Sequence, residues 1–464
     1  MTTEARFLTG STMGHVVRMT MTSAVGITFV FLVDAANLFW ISQLGDPKLM
    51  AAIGFAFAIQ FFSVSSGVGL MIASTALISR QLGKGNPEAA RREAAAALVI
   101  TTVFQALMAF LIITFRWQLL DLAGATGETR DLAARYLLIT LPSLAVMAVG
   151  LVGTAALRAH GDGKRAMYVT LISGLFAIFI DPALIVWAGL GLDGAAYAIL
   201  IFRVILAGAA LYFTLVTHKL FARPKLIYVK ENFRPFLAIA LPAMVAQMST
   251  PFGGYLLTAL MAQFGDTAVA AWAVVNRLYV VAFGGIFSLS GAIGGIFGQN
   301  YGAKQYDRLW TTFRDAVIFC IGYALVAWVA LMLATPLIIR SFGLSGMGET
   351  VMIAFTFTVG WAQGVMGLVY VTNAAFNTLG RPNRSMAVNW TRDGLLLFPL
   401  AYWAVDLWGA PGVLYGQAIA GCLVGVVAML WAARYVKGIP HGDAPELDLT
   451  TRRGYRDVNR FRRR

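Results

Sequence analysis

MYVTLISGLFAIFIDPALIV, residues Met167–Val186, is an apolar run with a carboxylate, Asp181, inside it. A membrane-spanning helix needs about 20 apolar residues. An acid at that depth costs roughly 2.5–3.5 kcal/mol on the insertion scale, so acids there are generally functional. Pro182 follows; it donates no backbone hydrogen bond, leaves the Ile178 carbonyl free and predicts a bend beside the acid. Near the N terminus, Val33-Asp34-Ala35-Ala36-Asn37 lies in equally apolar surroundings. The two acids read as one titratable cavity, and the chain as a cation-coupled transporter built around it.

Working outward, 59% of the 464 residues are hydrophobic and 12% charged, where an ordinary soluble domain carries about 25% charge. Apolar runs recur at 15–42, 50–79, 93–115, 133–157, 166–188 and 194–217, and then at 236–263, 268–297, 315–339, 350–378, 386–407 and 411–433. The short alternating segments of a membrane barrel are not evident. The expected fold class is an all-α polytopic membrane protein with twelve transmembrane helices in two pseudo-symmetric six-helix bundles. The formal charge of +14 does not mark a nucleic-acid partner, because the basic residues are spread over alternate loops and the tail. Arg80, Lys84, Arg91 and Arg92 follow span two, and Arg158, Lys164 and Arg165 follow span four. Lys219, Arg223, Lys225, Lys230 and Arg234 follow span six, Lys304, Arg308 and Arg314 span eight, and Arg381 and Arg384 span ten. Basic loops stay in the cytoplasm, so a multi-pass protein of the inner membrane with both termini cytoplasmic is expected. Two cysteines in apolar runs, Cys320 and Cys422, and four scattered histidines support neither a disulfide framework nor a metal site. No cleavage pattern of a signal peptide ends the first apolar run.

The sequence also repeats itself. Ala156–Met167, with its Gly161 turn, matches Ala375–Met386, with Gly380, at an offset of 219 residues. Gln43-Leu44-Gly45-Asp46 matches Gln263-Phe264-Gly265-Asp266 within a residue of that offset, and Arg80–Lys84 matches Gln299–Ala303. Each half holds an even number of spans, so the halves are parallel repeats related by an axis along the membrane normal. The expected organisation is a first bundle at 1–217 holding the ion and substrate site, a cytoplasmic linker at 218–235, a second bundle at 236–434 and a basic tail at 435–464. At these offsets Asp181 faces Pro399, Asp34 faces Gly254 and Asn37 faces Leu257, so the acids belong to the first half alone.

The Leu44-Gly45-Asp46 turn with Met50-Ala51-Ala52, Gln81-Leu82-Gly83-Lys84-Gly85-Asn86, Gly298–Ala303 and the Gly161 and Gly380 turns resemble, in order and spacing, the multidrug and toxic compound extrusion family. The resemblance covers nearly the whole chain. It implies twelve helices in two bundles and antiport of organic cations or drugs against protons or sodium. Ile180-Asp181-Pro182 matches the helix-five acid of the DinF-like branch. That branch's helix-one acid, aligned through Leu44-Gly45, falls on Asn37, with Asp34 one turn earlier where an asparagine is usual. We read this as an exchange of acid and amide on one helix face. The branch's helix-five asparagine, helix-six threonine and helix-one proline are Ala177, Ile199 and Thr22 here. The acids of the NorM-like branch in helices seven and ten align with Thr250 and Leu368, which argues against a second-lobe sodium site.

The candidate ion-coupling and substrate-binding residues are Asp34, Asn37, Asp181 and Arg203. Burial and a like charge nearby both favour the protonated form of a carboxyl group, so the acids can trade a proton for a cationic drug. Arg203, in span six, is the expected neutraliser of Asp181 or of a carbonyl cluster, and otherwise tunes the acid. Asn37 orients the acids or serves a helix contact. In the second half Gln247, Asn276, Arg277, Gln363, Asn373 and Asn377 either line a drug path or bond between helices, and Arg392 with Asp393 suggests an internal pair. The Arg452–Arg464 tail suits anionic lipid or retention of topology. The expected cargo is a small cationic or amphiphilic molecule, the surroundings a lipid bilayer, and the active form a monomer. Gly161-Asp162-Gly163-Lys164 lacks the rest of a phosphate loop, and no nucleophile or metal motif points to an enzyme. No cofactor is implied: an ion gradient drives transport, protons first, with sodium possible. The alternatives are a sodium-coupled drug antiporter and a flippase of lipid-linked saccharides.

Overall fold

In the computed structural model, which describes residues 5–441, each of these apolar runs is helical. The helices are α1 (Thr12–Ser42), α2 (Pro47–Gly83), α3 (Pro87–Thr114), α4 (Gly127–His160), α5 (Gly163–Trp187), α6 (Gly191–Thr217), α7 (Leu226–Ala262), α8 (Thr267–Gly302), α9 (Tyr306–Ser341), α10 (Met347–Thr378), α11 (382–408) and α12 (Ala410–Gly438). Eleven are long and apolar enough to cross a membrane. The other, α11, has the length but carries Arg384, Arg392, Asp393 and Asp406. Several begin before the apolar run does, because polar caps extend them. Asp46 accepts from Lys48 N–H at 2.8 Å, with Pro47 in the first turn, and Asn86 accepts from Ala89 N–H at 2.9 Å, with Pro87 likewise placed. The stretch read as a linker at 218–235 is helical from Leu226 onward. The described part of the basic tail ends at His441; its remainder, including Arg452–Arg464, lies outside the described residues.

The backbone keeps the repeat seen in the sequence. Gly124 and Gly343, Gly127 and Gly346, and Gly161 and Gly380 form pairs 219 residues apart, each with positive φ. Lys304 adopts φ 58° where the first half has Gly85, so the same turn is kept at the cost of a conformation that side chains disfavour. α4 and α10 are each interrupted by a 3-10 turn, at Leu141–Ser143 and Gly360–Ala362, again 219 apart. Apolar faces such as Val103, Leu107 and Phe110 on α3, and Val326, Leu333 and Leu337 on α9, are exposed at helical spacing, as a bilayer-facing surface requires.

Hydrogen bonds between the two bundles all lie toward one end among the described residues, the end bearing the basic loops. There α2 and α8 touch backbone to backbone. A Cβ at Gly83 would sit 2.0 Å from the Gln299 carbonyl oxygen, and one at Gly298 1.8 Å from Ser79 Oγ, so only glycine permits this approach. Arg80 Nε donates to the Thr378 carbonyl at 2.8 Å, Gln299 Nε2 to the Ala159 carbonyl at 2.7 Å, and Thr12 Oγ1 to Asp315. The segment before α1 forms a strap across the seam. Phe7, 2% exposed, joins the second bundle's core with Val16 and Met19. Its N–H donates to Gln299 Oε1 at 2.9 Å, and its carbonyl accepts from Arg308 Nη2 at 2.9 Å. Toward the opposite end no hydrogen bond or ion pair joins the bundles among the described residues, and Phe31, Leu32, Asp34 and Phe39 of α1 and Asn276, Arg277 and Val281 of α8 are exposed. The molecule is sealed at its basic end and cleft at the other.

Candidate functional site

α1 and α5 run side by side in the same direction. A Cβ at Gly26 would lie 3.7 Å from Thr170 Oγ1, and one at Gly174 would lie 2.6 Å from the Phe29 ring and 3.0 Å from Val33 Cγ2. Continuing both faces by helical steps of three and four brings Asn37 level with Asp181, and Asp181 does face Asn37. Both are buried, at 7% and 2% exposure. Asn37 Nδ2 and Asp181 Oδ2 nevertheless have no hydrogen-bond partner; the two groups face each other without closing a bond of normal geometry. Pro182 does not break the helix. The chain passes into a π turn at Ala183–Trp187 just beyond the acid, a distortion that often accompanies function.

Arg203 makes no ion pair with Asp181 or Asp34. It donates through Nη1 to the Thr140 carbonyl at 2.9 Å and to Ser143 Oγ at 2.8 Å. The 3-10 turn in α4 makes this possible. The Leu144 N–H bonds to the Leu141 carbonyl, which leaves the Thr140 carbonyl for the guanidinium. Gln60 of α2 donates to Thr140 Oγ1 and closes the cradle. Arg203 is thus anchored by α4 while staying within electrostatic reach of Asp34. Cys422 occupies the equivalent place in the second bundle, its Sγ 4.0 Å from the Ala362 carbonyl; the cradle is duplicated but the charge is not.

Asp34 points elsewhere. One turn before Asn37, it is exposed on the wall of the cleft, within electrostatic reach of Arg203 and of Arg277 across the gap. The two residues therefore part: Asn37 turns to α5 and Asp34 to water. Tyr136 of α4, buried and within reach of Asp34, Asp181 and Arg203, completes the group. Sequence reading passed over Tyr136, Gln60, Thr140 and Ser143, because such residues are ordinary in spans; Pro142 was the available sign of a break in α4.

The second bundle's polar residues divide. Asn276 and Arg277 line the cleft, whereas Gln363, Asn373 and Asn377 are buried, and Asn373 bonds to Ser385 and Asn389. Arg392 and Asp393 form a buried pair in the π turn Thr391–Leu396, with Nε 2.6 Å from Oδ1 and Nη2 2.8 Å from Oδ2, and Ser249 Oγ donates to Asp393 at 2.9 Å. In the turn before α5, burial opposes ionisation of Asp162, but the Arg165 N–H, His218 and the Arg165 side chain outweigh it and hold the carboxyl down to about 2.

The MatE family model matches residues 23–183 and 242–403, one stretch in each half. The FAD transporter of Shewanella oneidensis is 25% identical over 422 residues, 90% of this chain and 93% of that protein. The multidrug export protein MepA of Staphylococcus aureus is 24% identical over 422 residues, 88% of this chain and 90% of that protein. Among solved structures, a mutant of the Vibrio cholerae MATE transporter VcmN superposes with a TM-score of 0.86 at 23% identity, over 92% of this chain and 97% of that one. An outward-facing MATE transporter of the MOP superfamily does so with 0.87 at 22% identity, over 95% and 99%. At such identities the superpositions speak to the fold alone.

Proposed function

Since the chain belongs to the MatE family, and is therefore a membrane transporter and not an enzyme, we propose that it is a secondary active multidrug exporter of the inner membrane, moving cationic, amphiphilic drugs outward against protons. The observation that carries this reading is Asp181, a buried carboxyl in the first bundle with an unpaired oxygen, faced by Asn37 and reached by Asp34 in the cleft. A cation or a proton balances such a group, and the two compete for it. Basic loops stay inside, so the sealed end faces the cytoplasm with both termini and the cleft opens outward. In this state protons enter, neutralise Asp34 and Asp181 and release the cationic cargo. Closing the cleft and parting the α2–α8 seam then exposes the acids to the cytoplasm, where loss of the protons restores the charge that draws in the next drug.

Ethidium efflux from energised vesicles tests this. Efflux under a proton gradient alone, reduced to background in Asp181→Asn and Asp34→Asn, is the expected result. Efflux under a sodium gradient alone would move the coupling to sodium, and none under either would favour a flippase of lipid-linked saccharides. Unchanged efflux in Asp181→Asn would remove that residue from the mechanism. The Shewanella relative, matched over 90% of this chain, favours a second reading in which the cargo is FAD; vesicles loaded with FAD in the same assay test it.

A further inference from the structure

Proton coupling through the first bundle leaves unused a charge on the opposite wall of the cleft, Arg277 of α8. Its direction follows from the helix that carries it. α8 turns Gly284, Gly291 and Gly295 toward the first bundle, where added Cβ atoms would meet Thr28 Oγ1 at 3.1 Å, Arg158 Nη1 at 3.2 Å and the Arg158 carbonyl oxygen at 2.7 Å. A helical face recurs about every seven residues, so Arg277, seven before Gly284, continues that face two turns toward the open end. The bundles have parted there, and the side chain is exposed. α1 runs antiparallel to α8, with Thr20 bonded to Ser288 and Thr28 beside Gly284. The same progression brings Asp34 level with Arg277.

Three features set this guanidinium apart. Arg80, Arg203 and Arg392 each bond to a carbonyl or carboxylate within the protein, whereas Arg277 makes no hydrogen bond or ion pair among the described residues. It stands at membrane depth, where an ionised side chain is retained for a purpose. The repeat does not call for it either, since Ala58 occupies the corresponding place in the first bundle. An acid and a base thus face each other across the cleft, one per bundle, neither with a repeat counterpart of its own kind.

We propose that Arg277 determines cargo specificity by binding an anionic oxygen group, a carboxylate or a phosphate, so that the preferred cargo is a zwitterionic amphiphile whose cationic end meets Asp34. A guanidinium presents paired donors that match such a group in two-point fashion. A cargo with a positive charge alone gains Asp34 but is left beside an unanswered guanidinium. The proposal deepens the exporter reading and rests on it for the direction of transport, but not for binding.

The test is equilibrium binding of two fluorescent dyes to the purified full-length protein in lipid nanodiscs: rhodamine 6G, an ethyl ester carrying one positive charge, and rhodamine 19, its zwitterionic free acid. The wild type should bind the acid more tightly than the ester. Arg277→Ala should weaken rhodamine 19 by about tenfold or more, the loss expected for a hydrogen bond to a charged group, and leave rhodamine 6G within about twofold. Arg277→Lys should retain part of the preference, and Asp34→Asn should weaken both dyes. Equal affinities in the wild type, equal loss of both dyes in Arg277→Ala, an unchanged ratio, or no binding of rhodamine 19 to the wild type would each overturn the proposal. Failure of gradient-driven efflux would strike the exporter reading and leave this binding result standing.

Discussion

Asp181 and Asp393 are both buried acids in spans, and their surroundings give them opposite fates. Arg392 grips Asp393 at two points and Ser249 supplies a third bond, so its carboxylate is held by partners within the protein. Asp181 has no cation against it and one oxygen unpaired. Asp393→Asn should therefore lower stability by about 3–5 kcal/mol, because it strands a buried guanidinium, whereas Asp181→Asn should unfold at nearly the wild-type temperature while losing coupled efflux. Thermal unfolding in detergent, read beside transport, separates the two. Asp162 supplies a pH dependence of the ordinary carboxylate kind. Its folded value is near 2 against an unfolded 3.8, so its contribution is complete above about pH 4 and fades as pH falls toward 2. Asp162→Asn should accordingly cost about 1–3 kcal/mol at pH 7, and the difference from wild type should narrow only in strong acid. A gap between the two that changed between pH 6 and 8 would show that another group controls this turn.

At the scale of the helices, the α2–α8 contact holds the basic end shut by letting backbones touch. Gly83→Val places a branched side chain where even a Cβ would lie 2.0 Å from the Gln299 carbonyl oxygen. Overpacking of this kind costs about 1–3 kcal/mol, all of it in the sealed state, so the equilibrium should shift toward parting of the seam. The rate of thiol labelling at Thr75→Cys, beside that seam, should rise severalfold in Gly83→Val. The spans themselves were legible because a bilayer leaves so few alternatives to an apolar run of about 20 residues. Their ends were less so: α7 begins at Leu226, ten residues before its apolar run, on a stretch whose lysines and arginines read as linker. Asp34, Asn37 and Asp181 were visible as polar residues in apolar surroundings. That Asn37 turns to α5 and Asp34 to the cleft depends on how Gly26 and Gly174 seat the two helices, and no single helix contains that information. The cradle around Arg203 was hidden for a similar reason, since its key acceptor, the Thr140 carbonyl, is a backbone atom released by a turn.

Taken whole, the molecule is a duplicated frame with unduplicated charges. Its 3-10 turns and positive-φ glycines recur at 219 residues, yet the place of Arg203 is taken by Cys422 in the second bundle and that of the orphaned acid Asp181 by Pro399. The two halves can rock as near-equal bodies while the unpaired acid belongs to one of them. Orientation is testable at this scale: a cysteine at Asn276 should react with a membrane-impermeant thiol reagent added outside intact cells, and one at Lys219 only after the cells are opened, the reverse pattern overturning the assignment of sides. The strap carries a consequence for how the protein comes to exist. Phe7 is tied to Gln299 and Arg308, partners 292 and 301 residues further along the chain. At a synthesis rate of roughly 5–20 residues per second, the ribosome needs about 15–60 seconds to reach them. The first aromatic anchor to leave the ribosome is thus among the last to find its place, and a nascent chain halted before α8 would possess Asp34, Asn37 and Asp181 but no means of shutting the door behind them.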